Sequence, residues 1–268
     1  MRWEELTSLE FKKAVKNPGV CILPMGIIER HGSHLPVGTD MINVIATCNR
    51  AAELEPAVVF PPFYFGQIYE AKHHPGTIML QPELLIPLLL NVIDEIGRNG
   101  FKKIIIVNGH GGNHALIPFI SQSMLSRERE YTLYHYDYYN EPEFKPYMKE
   151  IADSKTFDGH GGEMETSHTM ANEPSWVKMK YEGDVKRSQI RLGRWKKIPK
   201  ETSSPIWWYA YAPEHYEGLQ TRKATAEKGR KFQEWCAKKT ATFIKAVKKD
   251  KIAPKLTKEF YKRCKSKN

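Results

Sequence analysis

The chain alternates between short runs that are apolar at every position and longer stretches with apolar residues at helical spacing. Thr7–Lys16 has helical spacing and stops at the turn Asn17-Pro18-Gly19. Val20–Ile28 is then apolar throughout and reads as a buried strand, followed by a polar loop and a helical stripe over Met41–Leu54 whose N-cap region is Thr39-Asp40. Ala57–Phe60, closed by Pro61-Pro62, reads as a second strand. Leu84–Ile96 reads as a helix ending near Gly97 and Gly100, and Lys103–Val107 as a third strand. A helix over Ala115–Leu125 and a strand over Tyr131–Tyr138 continue the rhythm. Runs apolar on both faces suit the middle of a parallel sheet, so the pattern predicts an α/β fold with a mostly parallel central sheet. Tyr181–Lys200 is basic and poorly periodic, and is expected as a surface excursion. Thr225–Lys248 is a long helix with Phe232, Trp235, Cys236, Phe243 and Val247 in its stripe. The division expected is one domain over 1–250 and a basic, mobile tail over 251–268.

Composition narrows the class. The 268 residues are 41% hydrophobic and include six Trp, enough for a sizeable core. Much of the net charge of +10 lies in Lys178–Lys200 and Lys238–Lys265, where lysines are spread out with a few Glu and Asp among them and form no Arg cluster. That distribution points to a solvated basic surface rather than nucleic-acid binding, though an anionic small substrate would also be drawn to it. Cys21, Cys48, Cys236 and Cys264 are widely spaced and read as reduced thiols. The start, M-R-W-E-E-L, is acidic where a secretory signal needs an apolar stretch, and no run approaches the roughly 18 apolar residues of a membrane span. A cytoplasmic protein with no membrane partner is expected.

Three stretches carry candidate chemistry. Glu29–Asp40, E-R-H-G-S-H-L-P-V-G-T-D, follows the first strand. Glu29, His31 and Asp40 are oxygen and nitrogen ligands of the kinds that bind zinc, manganese or ferrous iron at catalytic centres. In extended backbone Glu29 and His31 project to the same side, and Gly32, Pro36 and Gly38 can bend the loop so that Asp40 returns to them. The competing reading is a solvated polar loop. Asn108–Asn113, N-G-H-G-G-N, sits where the third strand gives way to a helix, and ligands of open α/β sheets bind at that end, which places His110 at a site. The third stretch, Asp158–Thr169, is D-G-H-G-G-E-M-E-T-S-H-T. If it starts a helix, His160 and Glu163 share a face and Glu165 is left as a supporting or capping group; if it is extended, Glu163 and Glu165 share a side. The aromatic segment Pro205–Gly218, with Trp208 and His215, reads either as a pocket wall or as core and interface.

Taken together, E-x-H with a following Asp, N-G-H-G-G-N and H-G-G-E-x-E-T-S resemble the creatininase family, as do H-H-P-G-T-I at His73–Ile78 and A-T-A-E-K-G at Ala224–Gly229. The resemblance spans about Val20 to Gly229. It implies a three-layer α/β/α sandwich, a homo-oligomer that is frequently a hexamer, and a centre of one or two divalent metals (zinc, manganese or iron). By resemblance Glu29 and His31 each hold one metal, Asp40 bridges them and His110 completes the first site. Creatininase has a glutamate ligand two residues after the N-G-H histidine, where this chain has Gly112. Glu163 is inferred to replace it, with Glu165 as the alternative.

Such a centre lowers the pKa of a bound water, and the resulting hydroxide attacks a carbonyl that a metal polarises. His160 is the expected general acid, with Glu165 beside it. The rebuilt ligand set argues against creatinine, and the Trp207–Tyr216 segment resembles that of keto-inositol hydrolases, acting on 3-dehydro-scyllo-inosose or diketo-inositols. Gln67, His74, Asn113, Trp208 and His215 are the expected substrate contacts. The alternatives are hydrolysis of a cyclic amide or formamide and, from another class, a non-catalytic basic binding protein.

Overall fold

In the computed structural model, which describes residues 1–155, 159–183, 204–218 and 220–266, the two runs apolar on both faces lie side by side at the centre of a parallel sheet. They are β1 (Val20–Met25) and β3 (Lys103–Asn108), flanked by β2 (Val58–Val59) and β4 (Thr132–Tyr136) in the order β2-β1-β3-β4. The expected strand over Ala57–Phe60 is reduced to two residues, because Pro61-Pro62 cannot extend a ladder. The register pairs Val20 with Lys103 and Met25 with Asn108, so β1 and β3 end level. Whatever follows Met25 and Asn108 therefore emerges at one place.

Alternation along the strands feeds two cores. Cys21, Leu23, Ile104 and Ile106 face α1 (Ser8–Lys16), α3 (Pro82–Arg98) and α4 (Asn113–Ser123), through Ala14, Leu89, Ile93 and Ile117. Val20, Ile22, Ile105 and Val107 face the opposite layer. There α2 (Thr39–Leu54), α5 (Phe144–Ile151), α6 (Glu163–Asn172) and α8 (Ala226–Lys249) contribute Val44, Cys48, Met148, Met164, Phe232 and Ile244. Each fully buried side chain of this size contributes about 1.5–3 kcal/mol. The result is the expected three-layer α/β/α arrangement. A short α7 (Trp207–Tyr211) carries the aromatic segment.

The stretch expected as a mobile tail is helical instead. Lys103 Nζ donates to the carbonyls of Val247, Lys248 and Asp250 at 2.7–2.8 Å, which closes the C-terminal end of α8. The Asp250 carboxylate then accepts the Ile252 and Ala253 N–H groups, and α9 (Ile252–Lys265) follows. Buried Tyr261 ties α9 down by donating to the Arg127 carbonyl at 2.6 Å. Most of the expected surface excursion, 184–200, lies outside the described residues. No described helix is long and apolar enough to cross a membrane.

Candidate metal centre

Beyond β1, Gly26 lies against the first turn of α2. A Cβ there would come 2.6 Å from the Met41 Cα, so strand end and helix start can approach this closely only at a glycine. The intervening loop doubles back: Glu29 N–H donates to the Val37 carbonyl at 2.8 Å and Gly32 takes φ of 66°. Asp40 consequently enters on the first turn of α2, with Gly38 at the N-cap. Beyond β3, Asn108 shapes the other turn, donating to the His110 carbonyl at 2.9 Å and accepting the His110 N–H at 3.2 Å.

These elements bring Glu29, His31, Asp40 and His110 together, all buried. Asp40 spans the two rings: Oδ1 lies 3.0 Å from His31 Nε2 and Oδ2 lies 2.8 Å from His110 Nδ1. Glu29 Oε1 is also 2.8 Å from His110 Nδ1. Burial, the largest single influence, would raise the Glu29 carboxyl, but His110, His160 and the hydrogen bonds from His110 and His215 together outweigh it and hold the group well below the carboxylate range. Burial likewise opposes charge on His31, yet Asp40, Glu165 and Glu29 outweigh it and hold its pKa up to about 10. His110 is raised for the same reason, by Glu29 and Asp40.

The ring tautomers show what this donor set fits. His31 Nδ1 faces the Glu29 carbonyl at 3.3 Å and His110 Nε2 faces the Gln67 carbonyl at 2.9 Å. Carbonyls only accept, so these nitrogens carry the protons of the neutral rings. The opposite nitrogens face the oxygens of Asp40, and each contact needs a positive centre between its two atoms: a second ring proton, which the raised pKa values favour, or a metal ion that displaces that proton. Glu29 Oε1 is buried without a hydrogen-bond partner among the described residues. A divalent metal answers both features, and Glu29, His31 and Asp40 lie close enough together to surround one.

The third stretch resolves differently from its expected geometry. Gly159 and Gly161 take φ of 83° and 69°, which keeps the backbone out of the helix until Glu163. His160 and Glu163 therefore do not share a helical face. Glu163 points away from the histidines: its carboxylate accepts the N–H groups of Asp153 and Ser154 at 3.0 Å and pairs with Lys228. Glu165 is the carboxylate that faces His31, with Oε2 at 3.8 Å while it accepts the Gly161 N–H at 2.6 Å. Burial raises its pKa to about 8. His31, His160 and Glu165 form a second grouping able to hold an ion. The space a glutamate at position 112 would need is filled, since a Cβ on Gly112 would meet Gln67 Oε1 at 2.4 Å and His110 Nε2 at 2.5 Å.

His160 stacks on His31 at 4.0 Å, and its Nε2 donates to the Arg30 carbonyl at 2.7 Å, leaving Nδ1 without a hydrogen bond among the described residues. Burial first, then the charge of His31, push its pKa well down.

A cavity of about 730 Å³ opens onto these groups. Trp207, Trp208, Tyr139 and Phe144 form its aromatic wall, and Gln67, Glu70, His114 and Glu217 are polar lining. Of the expected substrate contacts, Gln67, Trp208 and His215 line it. His74 does not: it accepts from Arg30 at 3.0 Å and donates to the Pro213 carbonyl at 3.0 Å. Asn113 is likewise turned inward, accepting the Gln67 N–H at 3.2 Å. Sequence reasoning passed over Glu217, which accepts the His160 N–H at 2.7 Å, and His114, which lies 3.1 Å from the buried Asp137 carboxylate. Asp137 directly follows β4, so the rule that sites gather at strand ends was the available signal.

The family model described as creatinine amidohydrolase matches residues 4–244. A 3-dehydro-scyllo-inosose hydrolase of Thermotoga maritima is 26% identical over 214 residues, 78% of this chain and 68% of that protein. A creatinine amidohydrolase of Pseudomonas putida is 33% identical over 120 residues, 42% of this chain and 46% of that protein. Among solved structures, a mutant creatininase of Zn-Zn type matches at TM-score 0.74 with 23% identity, covering 93% of this chain and 98% of its own. A manganese creatininase matches at the same TM-score and identity over 93% and 99%. The chain belongs to the creatininase family of hydrolases.

Proposed function

We propose that the protein is a metal-dependent hydrolase that opens a cyclic carbonyl compound, with a keto-inositol as its substrate. The observation that carries the reading is Asp40 set between two imidazoles, with one oxygen facing the inward nitrogen of each and the outward nitrogens held by carbonyls. Glu29, Asp40 and His110 would hold one divalent ion, and His31, Asp40 and Glu165 a second; zinc, manganese and iron all suit these donors. When bound, the metal supplies polarisation of the carbonyl and acidification of a water.

The chain's own residues supply the rest. His160 carries its proton on Nε2, toward Arg30, so Nδ1 begins empty. It takes a proton from the attacking water and returns it to the leaving atom, acting as base before acid. Glu217 fixes the His160 backbone, and Glu165 fixes Gly161 next to it. Trp207 and Trp208 offer a flat apolar face to the C–H side of a ring, while Gln67 and Glu70, also in the lining, would hydrogen-bond to hydroxyls. The relative from Thermotoga maritima, matched over 78% of this chain, supports an inosose substrate. The same reading takes the protein as a cytoplasmic homo-oligomer, in keeping with its four unpaired cysteines.

Cleavage of a cyclic amide is the second reading, favoured by the higher identity, over a shorter segment, to the Pseudomonas creatinine amidohydrolase. The test is to incubate zinc- or manganese-loaded protein with 3-dehydro-scyllo-inosose and with creatinine, and follow ring opening by mass spectrometry. A product one water heavier from the inosose alone is expected. Turnover of creatinine alone would replace the first reading with the second, and turnover of neither would count against both.

A further inference from the structure

His215 sits on a left-handed turn, with φ of 52°, that carries its ring between the cavity wall and the candidate centre. Its backbone ties that turn to the metal loop: the His215 carbonyl accepts the Gly32 N–H at 3.2 Å, and its own N–H donates to Ala212 at 2.9 Å. Trp208 Nε1 lies 3.0 Å from His215 Nδ1. An indole nitrogen can only donate, so Nδ1 is the acceptor and the proton of the neutral imidazole is on Nε2. Nε2 lies 2.5 Å from Glu29 Oε2. Glu29, His160 and His215 are close enough to surround an ion, but with Nδ1 taken by the indole and Nε2 by the carboxylate, His215 has no lone pair left to give one.

We propose that His215 is a positioning residue: its Nε2–H holds Oε2 of Glu29, so that Oε1 is the oxygen turned to the ion shared with His110 and Asp40, and Trp208 sets the tautomer that makes this possible. The inference rests on the metal-centre reading above. Its two halves fit the geometry of Glu29. Oε2 has a donor, while Oε1, 2.8 Å from His110 Nδ1, has no hydrogen bond among the described residues. Partners of this kind orient ligating carboxylates, and losing one typically weakens metal binding by about 10–100-fold. Because Trp208 also lines the cavity, the wall that would meet a substrate is joined to a metal ligand through a single imidazole.

The test measures the zinc dissociation constant by chelator competition, and the absorption spectrum of the cobalt-substituted protein, on the full chain. The variants are His215→Ala, His215→Gln and Trp208→Phe, with circular dichroism of each metal-free protein as the check on folding. His215→Ala should bind zinc about 10–100-fold more weakly. Trp208→Phe, which keeps a ring but loses the N–H, should shift in the same direction by less, and His215→Gln, which keeps an N–H donor, should recover part of the loss. The cobalt spectrum should keep its ligand number in all three. Wild-type zinc affinity in both His215→Ala and Trp208→Phe would overturn the proposal. A cobalt spectrum that loses a nitrogen ligand in His215→Ala would overturn it in favour of direct ligation. A wild-type protein that binds no zinc would overturn the metal centre itself and this role with it.

Discussion

Replacing Glu163 with alanine should destabilise the fold and leave the metal content unchanged. The side chain is completely buried, and its carboxylate accepts two backbone N–H groups at 3.0 Å, from Asp153 and Ser154, beside the ammonium of Lys228. Lys228 is itself only 17% exposed and donates to the Lys223 carbonyl at 2.8 Å, so the pair fastens the start of α8 to the start of α6. Removing one partner of a buried pair costs about 3–5 kcal/mol. At roughly 2–4 °C per kcal/mol for a domain of this size, the melting temperature should fall by about 6–20 °C. Lys228→Met should fall similarly, and the double variant Glu163→Gln with Lys228→Met should recover part of the loss, because the buried charge is gone. Differential scanning calorimetry of metal-free protein reads the stability, and elemental analysis reads the metal. Glu163→Ala that melts like wild type but loses its metal would refute this account and return Glu163 to the ligand set.

Other substitutions probe other links. A Cβ on Gly229 would lie 1.8 Å from the Ser167 carbonyl oxygen, where α8 crosses α6, so Gly229→Ala should cost more than about 3 kcal/mol in urea denaturation or prevent folding. Gly112→Glu, which restores the creatininase ligand type, should lower zinc affinity in a chelator titration, since its Cβ would press on His110 and on the Gln67 carbonyl at 2.6 Å. Burial holds His168 neutral, with its pKa pushed down to about 4 from an ordinary 6.5. Between those values the unfolded chain binds a proton that the native one refuses, so stability is complete above about pH 6.5 and falls as the pH drops toward 4, by about 1.4 kcal/mol per unit. His168→Gln should flatten that slope in urea midpoints taken from pH 7 to pH 5, and an unchanged slope would contradict it.

The sheet was legible because its evidence is local. Runs such as Lys103–Val107 are apolar on both faces whatever surrounds them, and two strands ending in chemistry-bearing turns announce a site at that end. Which of Glu163 and Glu165 faces the histidines was not a local matter. It turned on where α6 begins, which the left-handed backbone at Gly159 and Gly161 decides, and on Lys228, which lies 65 residues further on. His74 and Asn113 looked like substrate contacts because polar side chains near a site have the same composition whether they face the ligand or brace the loops behind it. The helix over Ile252–Lys265 was hidden by its lysines. Its signals were Asp250 at the start and the recurrence Ile252, Leu256 and Phe260. His215 was found as a polar group beside the pocket, but its tie to Glu29 spans 186 residues and no spacing rule reaches that far.

The most direct measurement is the metal content of the protein purified without added metal, for wild type and Asp40→Asn together. Asp40 turns one oxygen to His31 and the other to His110, and with the bridging role proposed for it the account predicts near two equivalents of a divalent metal in the wild type and about one or fewer in the variant, with the circular dichroism of the two unchanged. A wild type that holds no zinc, manganese or iron even after reconstitution would contradict it, as would an Asp40→Asn protein that keeps the wild-type content.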